Sequence, residues 1–144
     1  MILVDWGSLL GATDDYQAQP GICGEGLAAY EKELSASLPL DMKGLYLVSD
    51  GVFDRYGCRF LLWPLVESIR RNVSEWFDAA PGRGELVAIG DDGTGGRICV
   101  PRDGNSGVFL WDPLTAAPRW LANDLGDFWV GWTTRVITTH VQPG

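Results

Sequence analysis

Val87–Val100, VAIGDDGTGGRICV, sets four glycines and two adjacent aspartates between two apolar runs. A glycine loop cradles phosphate when a helix N-terminus follows it and a lysine reaches the anion. This loop has no lysine, is followed by the strand-like RICV, and puts Asp91 and Asp92 where phosphate would be repelled. A calcium loop wants acids at alternate positions ahead of a glycine and a carboxylate further on, whereas side chains of adjacent aspartates diverge. What remains is a hairpin connection: glycine accepts positive φ, and aspartate bonds its own backbone two residues on. The stretch therefore predicts two antiparallel strands joined by a turn.

Working outward, ELVAIG (85–90), RICV (97–100) and GVFLWD (107–112) are separated by the turn-rich DDGTGG and PRDGNSG, which predicts an antiparallel meander. RWLA (119–122) extends it after DPLTAAP. Upstream, CRFLLW (Cys58–Trp63), bounded by Gly57 and Pro64, reads as another strand. Helical spacing marks Leu27, Tyr30, Leu34 and Leu38 in a helix from Glu25 to about Ser37. A short segment opened by Pro39 puts Leu40, Leu45, Tyr46 and Val48 on one side and stops at Gly51. Pro64 opens a helix to about Asp78 whose stripe is Leu65, Ile69, Val73, Trp76 and Phe77. Asp124 and Asp127 mark the start of a last helix, with Leu125, Phe128, Trp129, Trp132 and Val136 as its stripe. Residues 1–19 read as a lead-in of one helical turn and a linker, and residues 20–144 as a single domain. Segregated helices and a meander define an α+β class.

At 144 residues and 46% hydrophobic positions, the chain builds one core without staples. Eleven basic against 19 acidic side chains give a formal charge of −8, which disfavours direct nucleic-acid binding and anionic membranes and would steer a basic partner toward the surface. Cys23, Cys58 and Cys99 form no CxxC and no even framework, so neither zinc nor disulfides are indicated. There is no basic n-region at the N-terminus and no run near the roughly 20 apolar residues of a membrane span. A soluble, cytoplasmic protein without a cofactor is expected.

Candidate chemistry is sparse. His140 is the single histidine and sits near the C-terminus, which leaves little for a Ser/His or Cys/His couple. A hydrolytic carboxylate pair, Asp91 with Asp112 or Glu85, or a metal-assisted site on Asp91 and Asp92, is available on paper, but thirteen aspartates make such pairs cheap. No base, nucleophile and oxyanion donor converge, so an enzyme is not expected. Of seven tryptophans, Trp76, Trp129 and Trp132 fall on apolar stripes, while Trp63 and Trp111 lie on strands where either face is open. A tryptophan exposed beside aspartates makes a binding anchor with a polar rim. Asp50, Asp54, Asp91, Asp92, Asp103 and Asp112 all sit in or beside turns, and with Trp111 they form the candidate protein-binding set.

The order of segments carries a resemblance. A helix, then "LP", a short helix ending in "SDG", a strand reaching "LLWPL", a helix, then "IGDDGTGG", "VFLWD" and a closing "LGDFW" helix together resemble the SUKH superfamily, the Smi/Knr-like domain, over roughly Pro20 to Trp132. Gly96 departs where a polar residue is frequent, Asp50 departs where Asn is frequent, and the first twenty residues match little. The resemblance implies a central, largely antiparallel sheet flanked by helices. It also implies an immunity protein that binds and neutralises a cognate toxin of a polymorphic toxin system, often a nuclease and here expected to be basic. The alternative is a regulatory adaptor for an endogenous cellular protein.

Overall fold

The computed structural model describes residues 4–57, 59–76, 85–93, 95–112, 114 and 117–138. In chain order its elements are α1 (Trp6–Gly11), β1 (Tyr16–Ala18), α2 (Gly24–Leu34), α3 (Leu40–Val48), β2 (Val52–Asp54), β3 (Phe60–Leu62), α4 (Leu65–Arg71) continued by a π turn (Asn72–Trp76), β4 (Leu86–Asp91), β5 (Arg97–Pro101), β6 (Val108–Asp112), β7 (Ala117–Ala122) and α5 (Leu125–Thr133). The opening hairpin is β4 and β5, with Val87 opposite Val100 and Asp91 opposite Arg97.

The meander is larger than its sequence signal. Seven strands lie in the order β1 to β7, and every neighbouring pair is antiparallel. β1 stands where a linker is expected, and β2 follows directly after Gly51. Both strands are three residues long, too short for alternation to show. The described part of the expected lead-in, residues 4–19, also reaches the interior, since Trp6 and Leu10 lie in the main core and the Trp6 indole donates to the Asp41 carbonyl at 3.0 Å.

The two sheet faces are unequal. On one, Val87, Ile89, Ile98, Val100, Val108 and Leu110 meet Tyr30, Leu34, Met42, Leu45, Tyr46, Phe128 and Trp129 from the helices. Each large apolar side chain buried there contributes about 1.5–3 kcal/mol. On the other, Trp63, Leu86, Ala88, Cys99 and Trp111 form a smaller cluster edged by Phe109. The Arg71 and Arg97 guanidinium carbons lie 5.1 and 5.5 Å from the Trp63 ring centroid, cation–π distances that cover this edge.

α4 departs most from its apolar stripe. Leu65 is buried and Ile69 packs half-buried against the main core as the stripe expects, but Ser68 and Asn72 are turned fully inward beside them, while Val73 is exposed. Cys58, Phe77 and Asp78 lie outside the described residues, as does the side chain of Trp76. The polar face has a purpose in the sheet. β3 pairs with β4 only briefly, ending where the Trp63 N–H donates to the Ile89 carbonyl at 2.8 Å, because Pro64 then turns the chain into α4. Ala88, one turn of pleat further along β4, therefore has no strand beside it on that flank. The Asn72 side chain takes that place: its Oδ1 accepts from the Ala88 N–H at 3.1 Å, and its Nδ2 donates to the Ala88 carbonyl at 2.8 Å. Ser68 Oγ donates to the same carbonyl at 2.8 Å and shares a 2.7 Å hydrogen bond with Tyr30 Oη. Buried backbone groups must be paired, and side chains here stand in for a strand.

Other boundaries shift by a turn. α2 ends at Leu34, not near Ser37, with Ser35 left-handed at φ 51°. On α3 the buried residues are Met42, Leu45 and Tyr46, whereas Leu40 and Val48 face solvent. α5 starts as expected, with Asp124 accepting from the Asp127 N–H at 2.7 Å, but it stops at Thr133 and leaves Val136 exposed. The Asp41 carboxylate also accepts from the Leu125 N–H at this helix start, and burial pushes its carboxyl above the ordinary range.

Candidate partner-binding groove

The turn between β4 and β5 consumes its own aspartates. Asp91 Oδ1 accepts from the Gly93 N–H at 2.6 Å, and Asp91 Oδ2 pairs with the Arg97 guanidinium at 2.7 Å. Asp92 Oδ1 accepts from the Gly96 N–H at 3.0 Å, and the Asp92 N–H donates to the Gly96 carbonyl at 3.2 Å. Gly93 holds φ at +89° with the Arg59 guanidinium so close that a Cβ would lie 2.6 Å from it. The cluster is a turn, as its chemistry indicates.

Beside this turn runs a groove of about 640 Å³. Leu61 and Trp63 lie along it, with Glu67 and Arg71 of α4, Asp91, Asp92, Gly93 and Gly95 of the turn, and Tyr16, Asp54, Arg59 and Trp132. It continues into a hollow of about 410 Å³ that shares Tyr16, Asp54, Asp92 and Trp132 and adds Asp15, Thr133, Arg135, Ile137 and Thr138. Tyr16 and Trp132 are fixed to one another, the indole N–H donating to the tyrosine hydroxyl at 2.7 Å, and Tyr16 also meets Trp129 edge to face at 5.3 Å. Glu67 bonds Arg70 and Arg71, and these bonds, Arg70 first, hold its carboxyl down to about 2.

The seven candidate contact residues separate. Asp54, Asp91 and Asp92 meet in the groove. Asp50 instead caps α4, accepting from the Leu65 N–H at 2.8 Å. Asp112 closes the turn after β6 by accepting from the Leu114 N–H at 2.8 Å. Asp103 lies at the other end of the sheet, bonded to Asn105 and bridged to Ser37. Trp111 is 1% exposed inside the smaller cluster, so it is a core residue and not a surface anchor. Besides Trp63, the aromatic residues along the groove are Tyr16 and Trp132, which sequence reasoning placed in a linker and on an apolar helical stripe. The aspect of Trp132 toward solvent has no sequence signal, because the same helical stripe supplies Phe128 and Trp129 to the interior.

Chemically, the groove offers carboxylate acceptors beside aromatic faces, an arrangement suited to a cationic side chain. Among the described residues no group of three or more His, Cys, Asp and Glu is arranged to hold a metal.

The model of the SMI1/KNR4 family (SUKH-1) matches residues 24–130. The chain belongs to this family. A search of curated proteins found no match. In this SUKH-1 chain the matched span opens at the first residue of α2 and closes inside α5. The hairpin, its aspartate turn and α4 fall within the span. α1, β1 and Trp132 fall outside it. Among the described residues no helix is long and apolar enough to cross a membrane.

Proposed function

We propose that this SUKH-1 chain is a cytoplasmic immunity protein that acts by binding, not by catalysis, and that it neutralises a cognate toxin of a polymorphic toxin system. The observation that carries the reading is the groove beside the β4–β5 turn, where Asp54, Asp91 and Asp92 line a space walled by aromatic rings. A basic toxin domain, of the nuclease type, is the partner this charge suits, through faster encounter and a salt-sensitive complex.

Co-expression tests the reading. A toxin domain taken from the genomic neighbourhood of this gene is induced in cells with and without the chain, and survival is scored. Protection, with a 1:1 complex whose association slows as salt is raised, supports immunity. Failure to protect against any neighbouring toxin, together with stable capture of a housekeeping regulator, overturns it in favour of an adaptor.

A further inference from the structure

The smaller arm of the groove has an unusual origin. Its walls, Asp15, Tyr16, Trp132, Arg135 and Ile137, all lie outside residues 24–130, the span shared with the family, and only Asp54 and Asp92 come from within it. Two stretches more than a hundred residues apart in sequence thus meet over the family turn. Their meeting is a built contact: the Trp132 indole bonds the Tyr16 hydroxyl, and β1 is held in the sheet by pairing Tyr16 with Asp54.

The lining also has a sign. Asp15, Asp54 and Asp92 face one cation, Arg135, in this arm, and the Tyr16 and Trp132 rings form its wall. Carboxylates accept charge-assisted hydrogen bonds, and aromatic faces favour a guanidinium laid against them. We propose that this arm seats an arginine-bearing loop of the partner, and that the segments outside the family span select which partner is bound. The proposal rests on the protein-binding reading above. The turn presents Asp92 in a fixed position, while Asp15 and Tyr16 supply the side of the arm that the family span does not contain.

The test uses the full-length protein and acetyl-Gly-Arg-Gly-amide as probe, followed through the indole resonance of Trp132, which Trp132→Phe identifies. Saturable displacement of that resonance is expected, with a Kd on the order of 1 mM, as befits one cation against carboxylates and a ring. Acetyl-Gly-Glu-Gly-amide should give none. Asp15→Asn with Asp92→Asn keeps an acceptor oxygen for the Gly96 N–H and should weaken the arginine peptide about three- to tenfold. No saturable shift at Trp132, or equal shifts with both peptides, overturns the proposal. In cells, Asp15→Arg should reduce protection wherever the wild type protects, and undiminished protection also overturns it. If the wild type protects against nothing, the immunity reading fails, while the peptide titration still decides the groove.

Discussion

Replacing Asn72 tests whether a single carboxamide stands in for a missing strand. Asn72→Leu preserves most of the side-chain volume but leaves the Ala88 N–H without its acceptor at a fully buried position. The Ala88 carbonyl keeps the Ser68 hydroxyl as donor, so the cost is concentrated on one orphaned N–H, about 1–3 kcal/mol. The lost bond from Nδ2 to the Ser68 carbonyl adds to it, for a total of about 3 kcal/mol. For a chain of this size that corresponds to a drop in Tm of roughly 6–12 °C. Asn72→Ala should cost somewhat more through the space it opens. Asn72→Asp separates the two halves of the interaction. At neutral pH its carboxylate accepts from the Ala88 N–H but repels the Ala88 carbonyl, and only the protonated form donates. Its folded pKa is therefore raised, and the variant should regain stability as pH falls through that value. Chemical denaturation of the three variants, with hydrogen exchange at the Ala88 amide, measures both effects. If Asn72→Leu unfolds within about 0.5 kcal/mol of wild type, a scatter ordinary for surface substitutions, the strand-substitute account is wrong.

Gly90→Ala should be among the most damaging single-methyl changes, because its Cβ would lie 2.1 Å from the Leu61 carbonyl oxygen between β3 and β4; a loss of about 2–3 kcal/mol by urea denaturation is expected. Glu67→Gln should cost less than about 1 kcal/mol at pH 7, since its partners are partly exposed. The depressed Glu67 carboxyl contributes stability that is complete above its ordinary value of 4.5 and disappears as pH falls toward about 2. The difference between wild type and Glu67→Gln should therefore shrink across that window in acid titrations of stability. Asp91→Asn should loosen the ion pair to Arg97 yet keep an acceptor for the Gly93 N–H, so binding should weaken more than folding, as read by paired calorimetry and association kinetics. Charge reversal at Asp91 or Asp92 is a poorer probe, because both carboxylates also hold the turn.

The parts of this fold that were legible in sequence are those where one side chain has one task. Val87, Ile89, Ile98 and Val100 are buried by pairing and packing together, so a short apolar run announces a strand. The turn aspartates bond their own backbone, so the hairpin is local chemistry. Phe128 and Trp129 follow a helical stripe because they meet a single apolar face. α4 broke the rule past its first turn: Leu65 is buried as an apolar stripe predicts, but Ser68 and Asn72 serve the hydrogen-bonding needs of Ala88, and those needs depend on where β3 leaves the sheet. A pattern search for apolar periodicity selects Val73 over Asn72 and misses the residue that matters. β1 and β2 escaped for a related reason, since strands of three residues take their identity from a neighbour and not from their own alternation.

The groove was less legible than the fold because it is made by closure and not by any motif. Asp91 and Asp92 carried the signal, but most of their bonding capacity is spent on the turn, and the surface they help form depends on what approaches from elsewhere. Tyr16 becomes a wall only because β1 pairs with β2 and brings it opposite Asp54. Trp132 becomes one only because α5 extends past its core contacts at Phe128 and Trp129, putting an indole where the tyrosine hydroxyl receives it. Trp111, chosen for its neighbour Asp112, failed because its side of the sheet has a hydrophobic cluster of its own, a second core that one-sided alternation does not reveal. A chain that keeps the family turn but changes the two segments framing it would retain this sheet and present a different groove. Grafting residues 5–19 and 132–138 of such a relative would therefore be expected to move partner choice while leaving the hairpin intact, and hydrogen exchange across β4 and β5 would show whether it had.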